Sequence, residues 1–480
     1  MKKYIYMAMS VAMLGFSACT EDQMDDVNVD NAHPQGSAVS AYLQLSEAIM
    51  STGFSTISGD YAYYTASLTE QVCGSGNNQL MKAELRNSGE LAASSTFNNT
   101  WGSTYSNLMN LKQMREKIEQ GIAASGEQWD LLGAVECLQA LNWGILTDMH
   151  GDVPYTEALS TEFKQPNVTP QQDIYAGIIA TLDDAIENLH KGASMNSMKD
   201  QDLLFGNDVA QWLGFAYALK ARYSLHKSAV EGASAIAAAK AAAEKAIEIG
   251  FTGAEITEFN GVTCDNPWSA FVWSRGYSAP STTVANLMEE NDDPRYPYYL
   301  GYSDEPMNPG DEDAAKISFY DGYSMYYDLG SQPIHVFSEY ELYFILAECQ
   351  ARSGEDATEA FQAGVAASVY EIGSWMGDDM DGAEFAESLG TPDLTMIMQQ
   401  KYVAMCIDEQ VETYNDIRRC KAMGQEFVKM TNPKNTQGGM NRWPNMLPYG
   451  NSSVSSNPNI AAAFGDGLYI YDKKCWLYSK

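Results

Sequence analysis

WLGFAYALKARYSLH (residues 212–226) and, after a short break, AIAAAKAAAEKAIEI (residues 235–249) decide the fold. In the first run Trp212, Phe215, Ala216, Leu219 and Tyr223 recur every three or four residues, the period of one helical face. In the second the recurring residues are small: Ala239, Ala242, Ala243 and Ala246, with Gly250 supplying the stop. Large side chains on one helix and small ones on its partner let two backbones approach closely. The pair predicts a helical hairpin.

The same grammar returns downstream. Ser338 and Glu341 make a capping box, Leu342, Ile345, Leu346 and Cys349 carry a stripe, and Gly354 ends it. Asp356 and Glu359 open the next helix, with Phe361, Gly364, Val365 and Ser368 facing inward. Upstream, Leu131, Val135, Leu138, Leu141 and Ile145 form a stripe. A further helix is expected with Thr169 as N-cap, Pro170 at its first position and Gln172 reaching back, followed by Tyr175, Ile178, Ile179, Leu182, Ile186 and Leu189. Each hairpin spans roughly 34 residues, the length of a tetratricopeptide unit. The expected class is all-α: a tetratricopeptide-like helical hairpin scaffold with long irregular, aromatic-rich loop insertions. An irregular α-bundle is the plainer alternative.

The insertions show as a change of character. Residues 251–335 are rich in Gly, Pro, Asn, Asp and aromatics, with turn signals at Asp265-Asn266-Pro267-Trp268 and Asp292-Asp293-Pro294-Arg295. Residues 431–480 carry similar loop chemistry around Trp443, Pro444, Pro448 and Tyr449. The helical scaffold therefore covers about 37–250 and 336–430. Loops this long in a compact protein are usually functional. Trp and Tyr rings offer apolar faces and a polar edge, which suits a sugar, a peptide, or the packing of loops onto a scaffold. The candidate ligand contacts are Trp268, Trp273, Tyr277 and Tyr296. Trp375 joins them because Gly373, Ser374 and Gly377 suggest an open loop, and Arg86 because its surroundings from Gly74 to Gly89 are polar and Gly-rich.

The chain starts with an address. Lys2 and Lys3 precede an apolar run from Tyr4 to Phe16, and Ser17-Ala18-Cys19 follows. This is the layout of a bacterial lipoprotein signal in which Cys19 becomes the lipidated first residue. The run is too short to span a bilayer as a helix. Residues 1–18 are read as the signal peptide, 19–36 as an acidic tether and 37–480 as one helical domain. The tether, beginning Thr20-Glu21-Asp22-Gln23-Met24-Asp25-Asp26, cannot pack a core. It resembles the acidic export tag of surface lipoproteins in Bacteroidetes-type bacteria.

Composition narrows the function. The formal charge is −34, and losing Lys2 and Lys3 leaves 27 basic against 63 acidic residues, a charge of −36. Such a surface argues against nucleic acid, which needs a basic stripe, and is repelled by anionic lipid. Beyond Cys19 seven cysteines remain, an odd number at no metal-ligand spacing. Cys137, Cys349 and Cys406 fall in helical patterns as buried thiols. Five scattered histidines give no i, i+4 pair, so no histidine-based metal site is expected. Asp378-Asp379-Met380-Asp381-Gly382-Ala383-Glu384 is dense in oxygen but lacks EF-hand spacing, and reads as a solvated loop ahead of a calcium site. There is no G-x-S-x-G, no phosphate loop, no G-x-G-x-x-G and no H-E-x-x-H.

Several segments then match a known family. Thr147-Asp148-Met149-His150-Gly151-Asp152-Val153-Pro154-Tyr155-Thr156-Glu157-Ala158-Leu159 resembles the D-x-x-G-D-x-P-Y-x-E-A signature of SusD/RagB-type nutrient-binding outer-membrane lipoproteins. The 212–222 helix is similar to that family's W-x-x-F-A-x-x-L-x-x-R, and residues 338–354 to its E-x-x-F-x-x-A-E. Asp293-Pro294-Arg295, Gln399-Gln400-Lys401-Tyr402, Glu412, Tyr414, Arg418-Arg419 and Arg442-Trp443-Pro444 follow in the family's order. The resemblance implies a lipid-anchored protein on the outer-membrane surface that caps a SusC-like TonB-dependent transporter. It would capture oligosaccharides, or peptides in some branches, without transforming them and without a cofactor. It also implies that Gly151–Tyr155 is a structural turn docking one hairpin on the next, with Asp148 and Asp152 capping helices or bonding backbone. A surface glycoside hydrolase and a helical-repeat adaptor for a protein ligand are the alternatives.

Overall fold

Where a large ring meets a glycine, two helices can touch, and such pairs set the path of this chain. The computed structural model describes residues 38–479 apart from 77, 277, 304, 317–323, 325 and 327–329. Cys19, the signal peptide and the acidic tether lie outside the described residues. The first helices are α1 (Leu45–Ser51), α2 (Asp60–Leu68), α3 (Gln79–Glu84) and α4 (Asn98–Gln120). Then come α5 (Trp129–His150), α6 (Gln171–Lys191), α7 (Val209–His226) and α8 (Ala233–Ile249). After an insertion the scaffold resumes with α12 (Glu339–Ser353), α13 (Thr358–Met376), α14 (Gly382–Ser388), α15 (Leu394–Ala404) and α16 (Gln410–Ala422). The pairs α5–α6, α7–α8 and α12–α13 are hairpins, and α6 on α7 and α8 on α12 stack them into a row. The fold is mostly helical, as expected.

The close contacts are of the expected large-on-small kind. Gly144 of α5 lies under the Tyr223 ring of α7, and Gly364 of α13 faces Phe344 of α12. The small residues Ala239, Ala242, Ala243 and Ala246 of α8 are all buried.

Two caps differ from the sequence expectation. Thr169 does not cap α6; its hydroxyl accepts from the Thr156 amide and sits beside the Thr156 hydroxyl. Pro170 is the residue preceding the helix, and the free amide of Gln171 donates to Asp152 Oδ1 at 2.8 Å. At α12 the Ser338 hydroxyl accepts from Glu341 N at 3.1 Å, one half of a capping box. The other half is replaced: Glu341 turns to Arg222, and the Ser338 amide donates to Glu409.

The Gly151–Tyr155 turn closes its own hairpin instead of docking one hairpin on the next. Val153 bridges Thr169, so the two ends of the 151–170 connection between α5 and α6 pair with each other. Tyr155 then lays its ring on Trp143 at 4.8 Å and over Gly177 of α6.

The 251–335 insertion is less irregular than its composition suggests. It holds α9 (Pro267–Arg275), α10 (Thr282–Glu290) and α11 (Tyr296–Leu300). Asn266 accepts from Trp268 N and Ser281 from Thr283 N, so the loop-forming residues serve as caps. Its base is a two-stranded antiparallel ladder of β2 (Ala254–Ile256) and β4 (Ile334–Phe337), with Glu255 opposite His335. Further along, β3 (Ser278–Ala279) pairs with β1 (Cys73–Gly74) near the N-terminal helices. The last insertion carries a small hairpin of β5 (Thr436–Gln437) and β6 (Met440–Asn441), then α17 (Asn451–Ser456) and α18 (Pro458–Phe464). No helix among the described residues is long and apolar enough to cross a membrane.

Behind the hairpins lies a buried ionic skeleton. Arg222 of α7 bonds Glu341 of α12 and reaches Glu409. Arg419 of α16 grips Glu348 of α12 with both terminal nitrogens and reaches Asp416. Arg295 is held by Asp293, Ser368 and Gln400. Each of these guanidinium groups ties elements far apart in sequence.

Candidate ligand-binding site

Helix α9 presents aromatic rings in two directions. Trp268 and Phe271, three residues apart, share one face. Tyr63 of α2 stacks on Phe271 at 4.0 Å and meets Trp268 edge-on at 4.7 Å. The Tyr63 hydroxyl donates to Pro267 O. Trp268 is therefore 1% exposed and is a core residue, not a stacking platform. Trp273, five positions on and roughly 140° around the helix, is 52% exposed. It is a flat apolar ring held over solvent by a helix that its neighbours lock to the core.

The other expected contacts fall elsewhere. Tyr277 lies outside the described residues. Tyr296 is half-buried at the start of α11, packed against the core, as is Tyr298, while Tyr299 is buried. The Tyr298 hydroxyl donates to Asp378 at 2.6 Å, which ties α11 to the end of α13. Trp375 occupies the last turn of α13, not a loop, because the chain leaves the helix only at Gly377 in a left-handed conformation. Its half-buried ring lies 5.7 Å from the His335 imidazole.

Arg86 is a correction. It is buried, and its guanidinium donates to Ala83 O at 2.9 Å and to Asn435 Oδ1 at 3.1 Å. Burial lowers its pKa to about 10, against the pull of Glu84 and Glu70. A polar, Gly-rich neighbourhood reads as open, but the 431–480 insertion folds over it. The acidic 378–384 run is spent locally: Asp378 accepts from Tyr298, and Asp381 caps α14 through the Glu384 amide.

Among the described residues, exposed rings outside the candidate contacts are Phe54, Phe163, Tyr302 and Tyr370. Tyr370 sits inside α13, where an aromatic in a helical run reads as core. A cavity of about 570 Å³ was also missed. It lies between α15, α16 and the 424–443 segment, walled by Met398, Tyr402, Met405, Phe427, Met430 and Trp443. In sequence those residues look like ordinary packing. Its Tyr402 and Trp443 rings are almost wholly covered, so they offer no free face to a sugar.

Two side-chain groups among the described residues are close enough to hold an ion: Asp148, His226 and Glu412, and Glu255, His335 and Glu371. In the first, all three residues are buried, and the His226 ring bridges Asp148 and Glu412 at 3.2 and 2.8 Å. Burial alone would lower the imidazole pKa, but Glu412 and Asp148 outweigh it and raise it to about 9. His226 is a cation locked between two anions. None of the seven cysteines among the described residues forms a disulfide, and six of them are buried; at Cys137 and Cys406 burial pushes the thiol up.

A sequence profile of SusD-like proteins, described as starch-binding and associating with the outer membrane, matches residues 44–442. A search of the curated proteins found no match. Among solved structures, a SusD/RagB family protein from Bacteroides thetaiotaomicron is 29% identical, with a TM-score of 0.80, covering 92% of this chain and 99% of its own. A SusD homologue from Bacteroides fragilis is 20% identical at a TM-score of 0.69, covering 92% and 100%. A chitin-binding SusD homologue from Flavobacterium johnsoniae is 17% identical at 0.71, covering 91% and 98%. The profile spans the scaffold, the 251–335 insertion and the ionic skeleton alike, and the chain belongs to the SusD-like family.

Proposed function

We propose that this protein is a lipid-anchored protein of the outer-membrane surface that binds an oligosaccharide and passes it to a SusC-like TonB-dependent transporter. The observation that carries the binding is Trp273, an indole half exposed on a helix otherwise fixed in the core. A ring carried on a helix fixed in the core costs no backbone ordering when a sugar face stacks on it. Family membership and the chitin-binding relative support a glycan ahead of a peptide. The attachment rests on Cys19 and the acidic tether, and the transporter on the family. An open, stacked site gives weak single-site affinity, which a lid closing on a barrel would strengthen.

Titration calorimetry with starch and chitin oligosaccharides and a peptide panel tests this reading. Binding of a glycan by the wild type, weakened at least tenfold in Trp273→Ala with an unchanged melting temperature, supports it. Equal affinity in the variant rejects the site. Chromatography of the glycan after incubation separates capture from hydrolysis, and shortened chains would favour the hydrolase. Detergent co-purification with a barrel-sized partner, and palmitate incorporation lost in Cys19→Ala, test the transporter and the anchor.

A further inference from the structure

The geometry points to a divalent transition-metal site, which we assign to zinc, formed by His335 Nε2 with the carboxylates of Glu371 and Glu255. The three residues come from β4, α13 and β2, so rigid elements hold them, and β2–β4 pairing sets Glu255 directly opposite His335. Nε2 lies 2.6 Å from Glu371 Oε1 and 3.7 Å from Glu255 Oε1. All three ligand atoms lie within 4.8 Å of one another. Zinc bonds of about 2.1 Å at a tetrahedral angle place ligand atoms about 3.3 Å apart. To close on an ion the first gap opens and the second narrows, each by under about 1 Å, and the Glu255 and Glu371 carboxylates, within 4.8 Å of each other, swing together.

The outer face of the imidazole is already arranged for this role. Asp408 Oδ2 lies 3.0 Å from His335 Nδ1 and 3.1 Å from the His335 amide. A carboxylate on Nδ1 fixes the tautomer that turns a free Nε2 lone pair toward the ion, as in most metal-ligating histidines. Without an ion the Nε2 proton bridges to Glu371; on binding, that proton passes to solvent. Imidazole beside carboxylates selects zinc over calcium, which prefers six or more oxygens.

The charge around the group is unbalanced. Glu255, Glu371 and Asp408 surround a single imidazole, with Glu339 of α12 beside them. Access is open: the Glu255 side chain is 37% exposed and Glu371 18%.

Zinc titrated into the purified chain against a chromophoric chelator, with melting curves alongside, tests the site. The expected result is one zinc per chain with a rise in melting temperature. Glu371→Gln and Glu255→Gln each weaken binding at least tenfold and abolish the rise, and a hundredfold excess of calcium does not displace the ion. Glu255 is partly exposed at 37%, and the melting curve of its variant without zinc serves as the folding control. Zinc bound equally by both variants places the ion elsewhere, for instance on Cys264 or His190, and overturns the proposal. So does the absence of binding to the wild type, or displacement by calcium.

Discussion

Trp268 and Trp273 stand five positions apart on one short helix and do opposite work. Trp268→Ala removes an indole packed edge-on against the stacked pair of Tyr63 and Phe271 and is expected to cost about 3–5 kcal/mol in denaturant unfolding. Trp273→Ala is expected to change stability by no more than about 0.5 kcal/mol. A loss of ligand binding in the first variant would therefore report on folding, and in the second on contact. From the sequence both look alike, because the partner that decides the matter, Tyr63, lies on a helix far earlier in the chain. Arg86 misleads for the same reason: Asn435, its acceptor, arrives from the last insertion. Residue type tells which groups can stack or pair; only the fold tells which are already taken.

At the level of elements, hairpins were legible and their joints were not. The stripes of α7, α8, α12 and α13 are periodic over several turns, so their existence and inward faces follow from spacing. α9, α10 and α11 are too short to show a period, and their caps read as loop residues. Capping by distant residues leaves no local signal at all. Asp152 supplies what Thr169 was expected to give α6, so Asp152→Ala is expected to cost about 1 kcal/mol, with the Gln171 amide losing its protection from hydrogen exchange. Thr169→Ala keeps that amide protected. The reverse pattern would restore Thr169 as the cap.

Across the whole molecule, the residues that carry the family resemblance are mostly the buried skeleton and not a binding surface. Arg222, Glu348, Asp293, Arg295, Glu412 and Arg419 are all buried and paired with one another or with their neighbours. This is why fold and family were readable while the candidate contacts were not: the matching residues are interior ones, whereas Trp273, the proposed contact, is an exposed ring outside them. Removing one partner of such a network leaves an uncompensated charge in the core. Arg419→Met takes one of two cations from Glu348, which keeps Arg352, and from Asp416, which keeps Lys401; it is expected to cost about 3 kcal/mol in chemical unfolding, and a cost below about 1 kcal/mol would mean that the remaining pairs carry the network.

The skeleton also gives stability a pH signature, through His226. Its folded pKa, about 9, stands above the ordinary value of 6.5, because Glu412 and Asp148 overcome the burial that would lower it. A raised pKa means that the folded state holds the proton more tightly than the unfolded chain does. The contribution is therefore complete below about pH 6.5 and is lost as pH rises through 9. Glu412 behaves oppositely: burial raises its pKa, His226 and Arg222 outweigh that, and it sits at about 2. Its contribution is present above the ordinary 4.5 and is lost as pH falls toward 2. Other buried carboxyls titrate in the same range, among them Glu84 and Glu136, each raised to about 7 chiefly by burial. The clean measurement is a difference: melting temperature of wild type minus His226→Gln, taken from pH 5 to pH 10. It should be largest below 6.5, correspond to about 1–3 kcal/mol there, and shrink toward zero as pH passes 9. A difference that stays constant across that range would show that His226 holds no extra proton in the folded protein, and that its two carboxylates are balanced by Arg222 and their hydrogen bonds alone.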